Sequence, residues 1–246
     1  MNTPPNTRRL WALLLLSMSL WACGDEDNGQ GEVVVTVYGE DFIESGLNAD
    51  DMADGWSVTF DRFVVTVGEV SVGGASIPAQ APIDISVQTD GAGHPIASVQ
   101  VPAGAHTSSN FVITRVELSG AATKDGVTKA FDWTFDQEVR YSACETTTTV
   151  TDGQSATFQI TVHADHFFYD SLVAEEPQVV FQALADADAD NDGQITREEL
   201  ENTDIGRYDP GSAGDVNDLW GWLTAQNQTL GHVDGEGHCD FQALTN

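Results

Sequence analysis

"WSVTFDRFVVTVGEVSVGG", residues 56–74, decides the reading of the fold. Val58, Phe60, Val65, Val67, Val70 and Val72 are spread through an alternating, β-branched run that is interrupted near Arg62 and Gly68. Alternate side chains of an extended chain share one face, so this is the pattern of a strand with one side buried. The same texture precedes it in "EVVVTVYG" (32–39). It returns in "PIDISVQ" (82–88), "PIASVQV" (95–101), "NFVITRVEL" (110–118), "KAFDWTFDQEVRYS" (129–142) and "ATFQITVH" (156–163). In the last of these Phe158, Ile160 and Val162 alternate with Gln159, Thr161 and His163, a half-buried strand. Turn signals such as "VGGAS", "TDGAGHP", "VPAGAH", "TKDG" and "TDGQ" separate the runs. Seven to nine short strands at this spacing predict an antiparallel β-sandwich over residues 32–165.

After His163 the texture changes. "EEPQVVFQALADA" places Val180, Phe181 and Leu184 on one helical face, with Pro177 in the first turn and Glu175 and Glu176 suited to the helix dipole. "REELENTDIG" predicts a short second helix ending near Gly206. "DVNDLWGWLTAQNQTLG" predicts a third, N-capped by Asp215, with Val216, Leu219, Trp220, Leu223 and Leu230 at helical spacing and Gly231 closing it. The expectation is a smaller α-helical region over 166–246, α+β overall, without internal repeats.

Inside that region stands "DADNDGQITREE", Asp188 to Glu199. Asp188, Asp190 and Asp192 alternate, Gly193 is sixth and Glu199 twelfth. A hard cation needs six to eight oxygens, a sharp turn, and a final bidentate carboxylate. Gln194 offers its backbone carbonyl, Thr196 sits where a ligand acts through water, and Ile195 is the apolar eighth residue. Starting instead at Asp186 puts Asn191 where glycine belongs and Arg197 where glutamate belongs, so only one register works. The stretch resembles the EF-hand calcium loop, with a hand at about 177–206, and the resemblance implies one bound Ca2+. EF-hands usually pair. The only second stretch, from Asp234, has Cys239 in place of glycine and Thr245 in place of glutamate, so the loop is expected to be single or to pair between molecules.

The chain starts with its own address. Arg8 and Arg9 precede an apolar core, Leu10 to Leu20, too short to span a bilayer. Leu20-Trp21-Ala22-Cys23 resembles a bacterial lipobox. That resemblance implies a signal peptide over 1–22, lipid on Cys23, and a flexible tether over 23–31. Gly24, rather than Asp, favours the outer membrane or cell surface, with a periplasm-facing position as the alternative. The segment "VPAGAHTSSNFVITRVEL" (101–118) is similar to sandwich domains of uncharacterised bacterial lipoproteins. The partner implied is the membrane, through lipid.

Composition reads as a solvated acidic surface and excludes one class of partner. Nine Lys and Arg stand against 39 Asp and Glu, a formal charge of −30. Such a surface does not neutralise phosphates, which excludes non-specific nucleic-acid binding. It does attract cations diffusely. With Cys23 lipidated, Cys144 and Cys239 remain, an even number in an oxidising compartment, and they are expected to form a disulfide; the alternative is two free or metal-binding thiols.

Four of the six histidines fall in two short stretches. "HADHFFYD" holds His163 and His166, and "GHVDGEGHCD" holds His232 and His238. Imidazoles with carboxylates suit Zn2+ or Cu2+, and three with an open position activate water. Two functions follow: a calcium-binding, lipid-anchored exported protein with a structural or adhesive role, or a transition-metal protein or metalloenzyme built on these histidines. No nucleophile elbow, phosphate loop or His-Glu-x-x-His is present, so an enzyme has no positive support. The sequence names no protein or carbohydrate partner.

Overall fold

The computed structural model describes residues 29–244 and Met1. The expected signal peptide beyond Met1, the expected lipidation at Cys23 and the expected tether up to residue 28 lie outside the described residues. The described chain is mostly β. Its strands are β1 (Gln30–Tyr38), β2 (Ser57–Val72), β3 (Ala75–Ile77), β4 (Ile83–Asp84), β5 (His94–Pro102), β6 (Gly104–His106) and β7 (Asn110–Lys124). They continue as β8 (Val127–Phe135), β9 (Val139–Ser142), β10 (Thr148–Val150), β11 (Ser155–Val162), β12 (Gln194–Ile195), β13 (Gly231–Val233) and β14 (Asp240–Ala243). Four short helices interrupt them: α1 (Glu40–Glu44), α2 (Gln182–Ala185), α3 (Arg197–Glu201) and α4 (Leu219–Gln226). A 3-10 turn covers Ala164–Phe168.

One sheet runs β13-β11-β1-β5. A larger one runs β12-β8-β7-β2-β3, with β4 on β2 and with β9 and β14 beyond β7. The long pair β2–β7 is its backbone. Register shifts fall between Phe60 and Arg62, between Thr66 and Val67 and between Val67 and Val70, around the places where the alternation in the sequence breaks. Each shift restores the buried face: Val58, Phe63, Val65, Val67, Val70 and Val72 are all buried. Gly120 is required where β7 crosses β2, because a Cβ there would lie 2.1 Å from the Thr59 carbonyl oxygen. The Asp125-Gly126 turn has both residues at positive φ, 50° and 81°, the geometry that joins twisted strands tightly.

The sheets are not purely antiparallel, as the sequence led us to expect. β1 pairs in parallel with β11, Val33 opposite Ala156 through Tyr38 opposite Thr161. β12 pairs in parallel with β8. Valines of β1 and β2, aromatics of β7 and β8, and Phe158 and Ile160 of β11 all enter one apolar core. Each such side chain contributes roughly 1.5–3 kcal/mol by leaving water.

Segment 166–246 is less helical than its pattern predicted. It supplies β12, β13 and β14 to the sheets, and Phe181, Leu184, Leu219, Trp222 and Leu223 to the same core. The helix expected from Pro177 starts only at Gln182. Val179 bridges Tyr169, and the Val180 amide donates to the Phe168 carbonyl. Backbone groups engaged there are not free for a helix. The Asp54 carboxylate then accepts from the Phe181 and Gln182 amides, both at 2.7 Å, and opens α2 from a distant loop. For α4 the capping side chain is Asp218, which accepts from the Gly221 amide at 2.7 Å, three residues after the expected Asp215. Gly231 does not close that helix; it begins β13. No described helix is long and apolar enough to cross a membrane.

Candidate metal centres

The 188–199 loop lies against the edge of the larger sheet. Asp188 and Glu199 accept more of its internal hydrogen bonds than the other side chains do. The Asp188 carboxylate accepts from the Asp192 amide at 3.2 Å and the Gly193 amide at 3.0 Å. Gly193 turns the chain at φ 86° and Asn191 at φ 60°, a conformation that costs glycine nothing. Glu199 reaches back to the loop start, accepting from the Ala189 amide at 3.0 Å. Its second oxygen accepts from the Thr196 amide and hydroxyl, and Thr196 in turn caps α3, a reciprocal capping box. Thr196 is thus tied to Glu199. Carboxylate oxygens of Asp188, Asp190 and Glu199 come within 4.8 Å of one another. Asp192 is not in that group; its side chain accepts from the Gln194 amide at 2.7 Å. Gln194 sits in β12.

Two features of the loop are invisible in its sequence. First, its eighth residue has a strand partner within the chain. Gln194 and Ile195 pair with Ala130 and Phe131 of β8, and buried Trp133 donates from Nε1 to the Ile195 carbonyl at 3.0 Å. Second, Lys129 of β8 forms an ion pair with the fully buried Asp188 carboxylate. The Lys129 hydrogen bond is the main reason the Asp188 carboxyl is held below its ordinary range, with the Gly193 and Asp192 amides adding to it. Glu199 is also held low, by the Thr196 amide and hydroxyl and the Ala189 amide, against the opposing push of burial.

The histidines converge. His163 follows β11, His166 lies in the 3-10 turn, and His232 lies in β13, opposite Thr161 of β11. The antiparallel pairing of β11 and β13 carries the chain from residue 163 back to residue 232. Ring centroids are 4.1 Å apart for His163 and His232, 5.4 Å for His163 and His166, and 5.2 Å for His166 and His232. A nitrogen of each comes within 4.8 Å of the other two. His238 stands apart from that trio: its ring is 5.1 Å from His232, but its side chain is 72% exposed. The four line a cavity of about 370 Å³ shared with Asp165 and Tyr169.

Their electrostatics follow from crowding. Burial, then His163 and His238, push His166 down to about 3. Burial, then His163, His166 and His238, push His232 down to about 3 as well. Burial also pushes His163 down, but a hydrogen bond to Glu40, the Glu40 and Asp165 charges and the Gly235 carbonyl outweigh it, and the net shift is upward. At neutral pH His166 and His232 are therefore neutral bases.

The cysteines behave as expected. Cys144 and Cys239 form a disulfide, so neither is a free or metal-binding thiol. Sequence reasoning missed Lys129, Trp133, Glu40 and Thr229. Only Glu40 carried a hint, an acid directly after a Tyr-Gly strand end, and it adopts a left-handed φ of 54° uncommon for a non-glycine residue.

Among the described residues, metal-type ligands gather in two regions of a sheet-rich fold: Asp188, Asp190 and Glu199 in one, and His163 with His166 and His232, or with Glu40 and Glu236, in the other. No protein-family profile, curated protein or solved structure matches the chain.

Proposed function

We propose that this chain is a calcium-binding, lipid-anchored exported protein: a β-sandwich with an EF-hand-like loop clamped to its edge, structural or adhesive at the cell surface. The observation that carries the reading is the convergence of Asp188, Asp190 and Glu199, positions one, three and twelve of the loop template, within 4.8 Å. The pairing of Ile195 with β8 supports it further, because it gives a solitary loop the strand partner that a second hand would otherwise supply. Outside the cell calcium does not pulse, so a permanent clamp fits better than a switch.

The clamp's worth follows from linkage. With a dissociation constant of about 10⁻⁴ M and calcium near ~1 mM, binding stabilises by about 1.4 kcal/mol. For a domain of this size that is a rise in Tm of roughly 3–6 °C. Thermal unfolding with calcium and with chelator is the test. Wild type should show the rise, Glu199→Gln should lose it, and Lys129→Met, which removes the ammonium competing for Asp188, should bind calcium more tightly than wild type. Superimposable curves for wild type in calcium and chelator, with no calcium retained on dialysis, would sink the reading.

The anchor is tested separately. Cys23→Ala should leave the protein unprocessed or in the soluble fraction. Unchanged membrane partitioning of that variant would refute lipidation.

A further inference from the structure

The buried imidazoles of His163 and His232 and the half-buried one of His166 have nothing in the calcium reading to explain them. Three polar rings packed face to edge and face to face gain little by leaving water. Such a cluster is stabilised when the three lone pairs share one cation.

The hydrogen bonds around two of the rings say which nitrogens are free. His163 Nε2 faces two acceptors, a Glu40 carboxylate oxygen and the Gly235 carbonyl, each at 3.2 Å. It therefore carries the hydrogen, and Nδ1 keeps the lone pair. His166 Nδ1 lies 2.8 Å from the Thr229 hydroxyl oxygen. That hydroxyl donates its own proton to the Gln226 carbonyl at 2.9 Å, so it accepts from His166, and Nε2 keeps the lone pair. His232 Nδ1 is buried with no partner. An outer carboxylate or hydroxyl that holds the far nitrogen of an imidazole is the usual support of a metal-bound histidine, fixing its tautomer and raising its basicity.

Distance agrees. The centre of a triangle with 4.8 Å sides lies about 2.8 Å from each corner, so closing onto a zinc–nitrogen distance of about 2.0–2.1 Å needs ring movements below about 1 Å. Ligand type narrows the ion. The cysteines are bonded to each other, and all three nitrogens are imidazole. That suits zinc or copper and not a hard, oxygen-seeking calcium ion. Asp165 and Tyr169 sit across the same cavity, the Tyr169 hydroxyl donating to Asp165 Oδ2 at 2.6 Å, while Asp165 Oδ1 is buried without a partner.

We propose that His163, His166 and His232 hold one zinc- or copper-type ion, oriented by Glu40 and Thr229, with its fourth position open to the cavity. His238 is at the cavity mouth and is not one of the three ligands. The centre is independent of the calcium loop.

The test uses detergent-purified full chain without a histidine tag, stripped with chelator and returned to millimolar calcium so that the loop stays filled. Zn2+, Cu2+ and Co2+ are titrated separately. One equivalent of Zn2+ or Cu2+ should bind, and which of them accompanies protein purified without added metal identifies the resident ion. Co2+ should give the intense visible bands of a four-coordinate site. Glu199→Gln should bind as wild type does. Glu40→Gln should weaken binding by roughly 10-fold or more without removing a ligand. The double variant His166→Gln/His232→Gln should lose stoichiometric binding while near-ultraviolet circular dichroism stays native. If that variant does not fold, the Co2+ spectrum of wild type decides. Folded wild type that binds none of the three ions stoichiometrically overturns the proposal, as does binding that survives in the folded double variant.

Discussion

Removing the Cys144–Cys239 bridge should destabilise the protein by about 4–5 kcal/mol, the chain-entropy value for a closed loop of this length. The two cysteines are 95 residues apart in sequence. Cys144 follows β9 and Cys239 precedes β14, and these strands pair antiparallel from Asp240 opposite Ser142 to Ala243 opposite Val139. β14 is an edge strand with Asp240, Phe241 and Gln242 exposed, so burial holds it only weakly. Next to the bridge the Glu145 amide donates to the His238 carbonyl at 2.8 Å. Without the bond the last strand keeps few contacts of its own, and the unfolded chain regains the freedom of the long loop. For a domain of this size the loss is a fall in Tm of roughly 10–20 °C. Urea unfolding of the oxidised protein and of Cys144→Ser/Cys239→Ser measures it. Hydrogen exchange should rise first in β14 and β9. Equal midpoints for the two proteins would show that the bridge contributes nothing to stability.

Trp133→Ala should cost about 3–5 kcal/mol, the range for emptying a large buried aromatic site. Trp133 is 1% exposed, stacks on Phe131 at 4.6 Å, and lies opposite Leu118 in the β7–β8 pair. Its Nε1 holds the Ile195 carbonyl of the loop. Trp133→Phe separates the two roles. It keeps much of the packing but removes one donor from the Ile195 carbonyl, a hydrogen bond worth about 0.5–1.5 kcal/mol. Because that carbonyl belongs to β12, Trp133→Phe should also weaken calcium binding, whereas a core change remote from the loop, such as Ile160→Val, should not. Calcium titrations of both variants provide the comparison. Equal affinities for Trp133→Phe and wild type would mean that the edge strand does not position the loop.

Much of the strand content was legible because burial against one face leaves a period of two in the chain. Val65, Val67, Val70 and Val72 announce a strand wherever they fold, and the breaks near Arg62 and Gly68 fall where the register shifts, between Phe60 and Arg62 and between Val67 and Val70. The spacing of Asp188, Asp190, Asp192, Gly193 and Glu199 is likewise local, and the loop brings Asp188, Asp190 and Glu199 of these together. The parity of Cys144 and Cys239 stated the bridge once Cys23 was set aside.

What only the tertiary structure decided is long-range. A period of two says that a face is buried, but not against which neighbour. The parallel pairing of β1 with β11 and of β12 with β8 is therefore not written in any run of residues. The helix expected from Pro177 is delayed because Val179 and Val180 spend their backbone groups on Tyr169 and Phe168, a competition that no local pattern records. His163 and His166 stood in one stretch and His232 in another. They meet because β13 returns beside β11, and Glu40, Thr229 and Lys129 join the two centres from three further places in the chain. Local spacing determines which atoms a short segment can offer an ion. Only the pairing of distant strands determines which of those atoms stand within reach of one another.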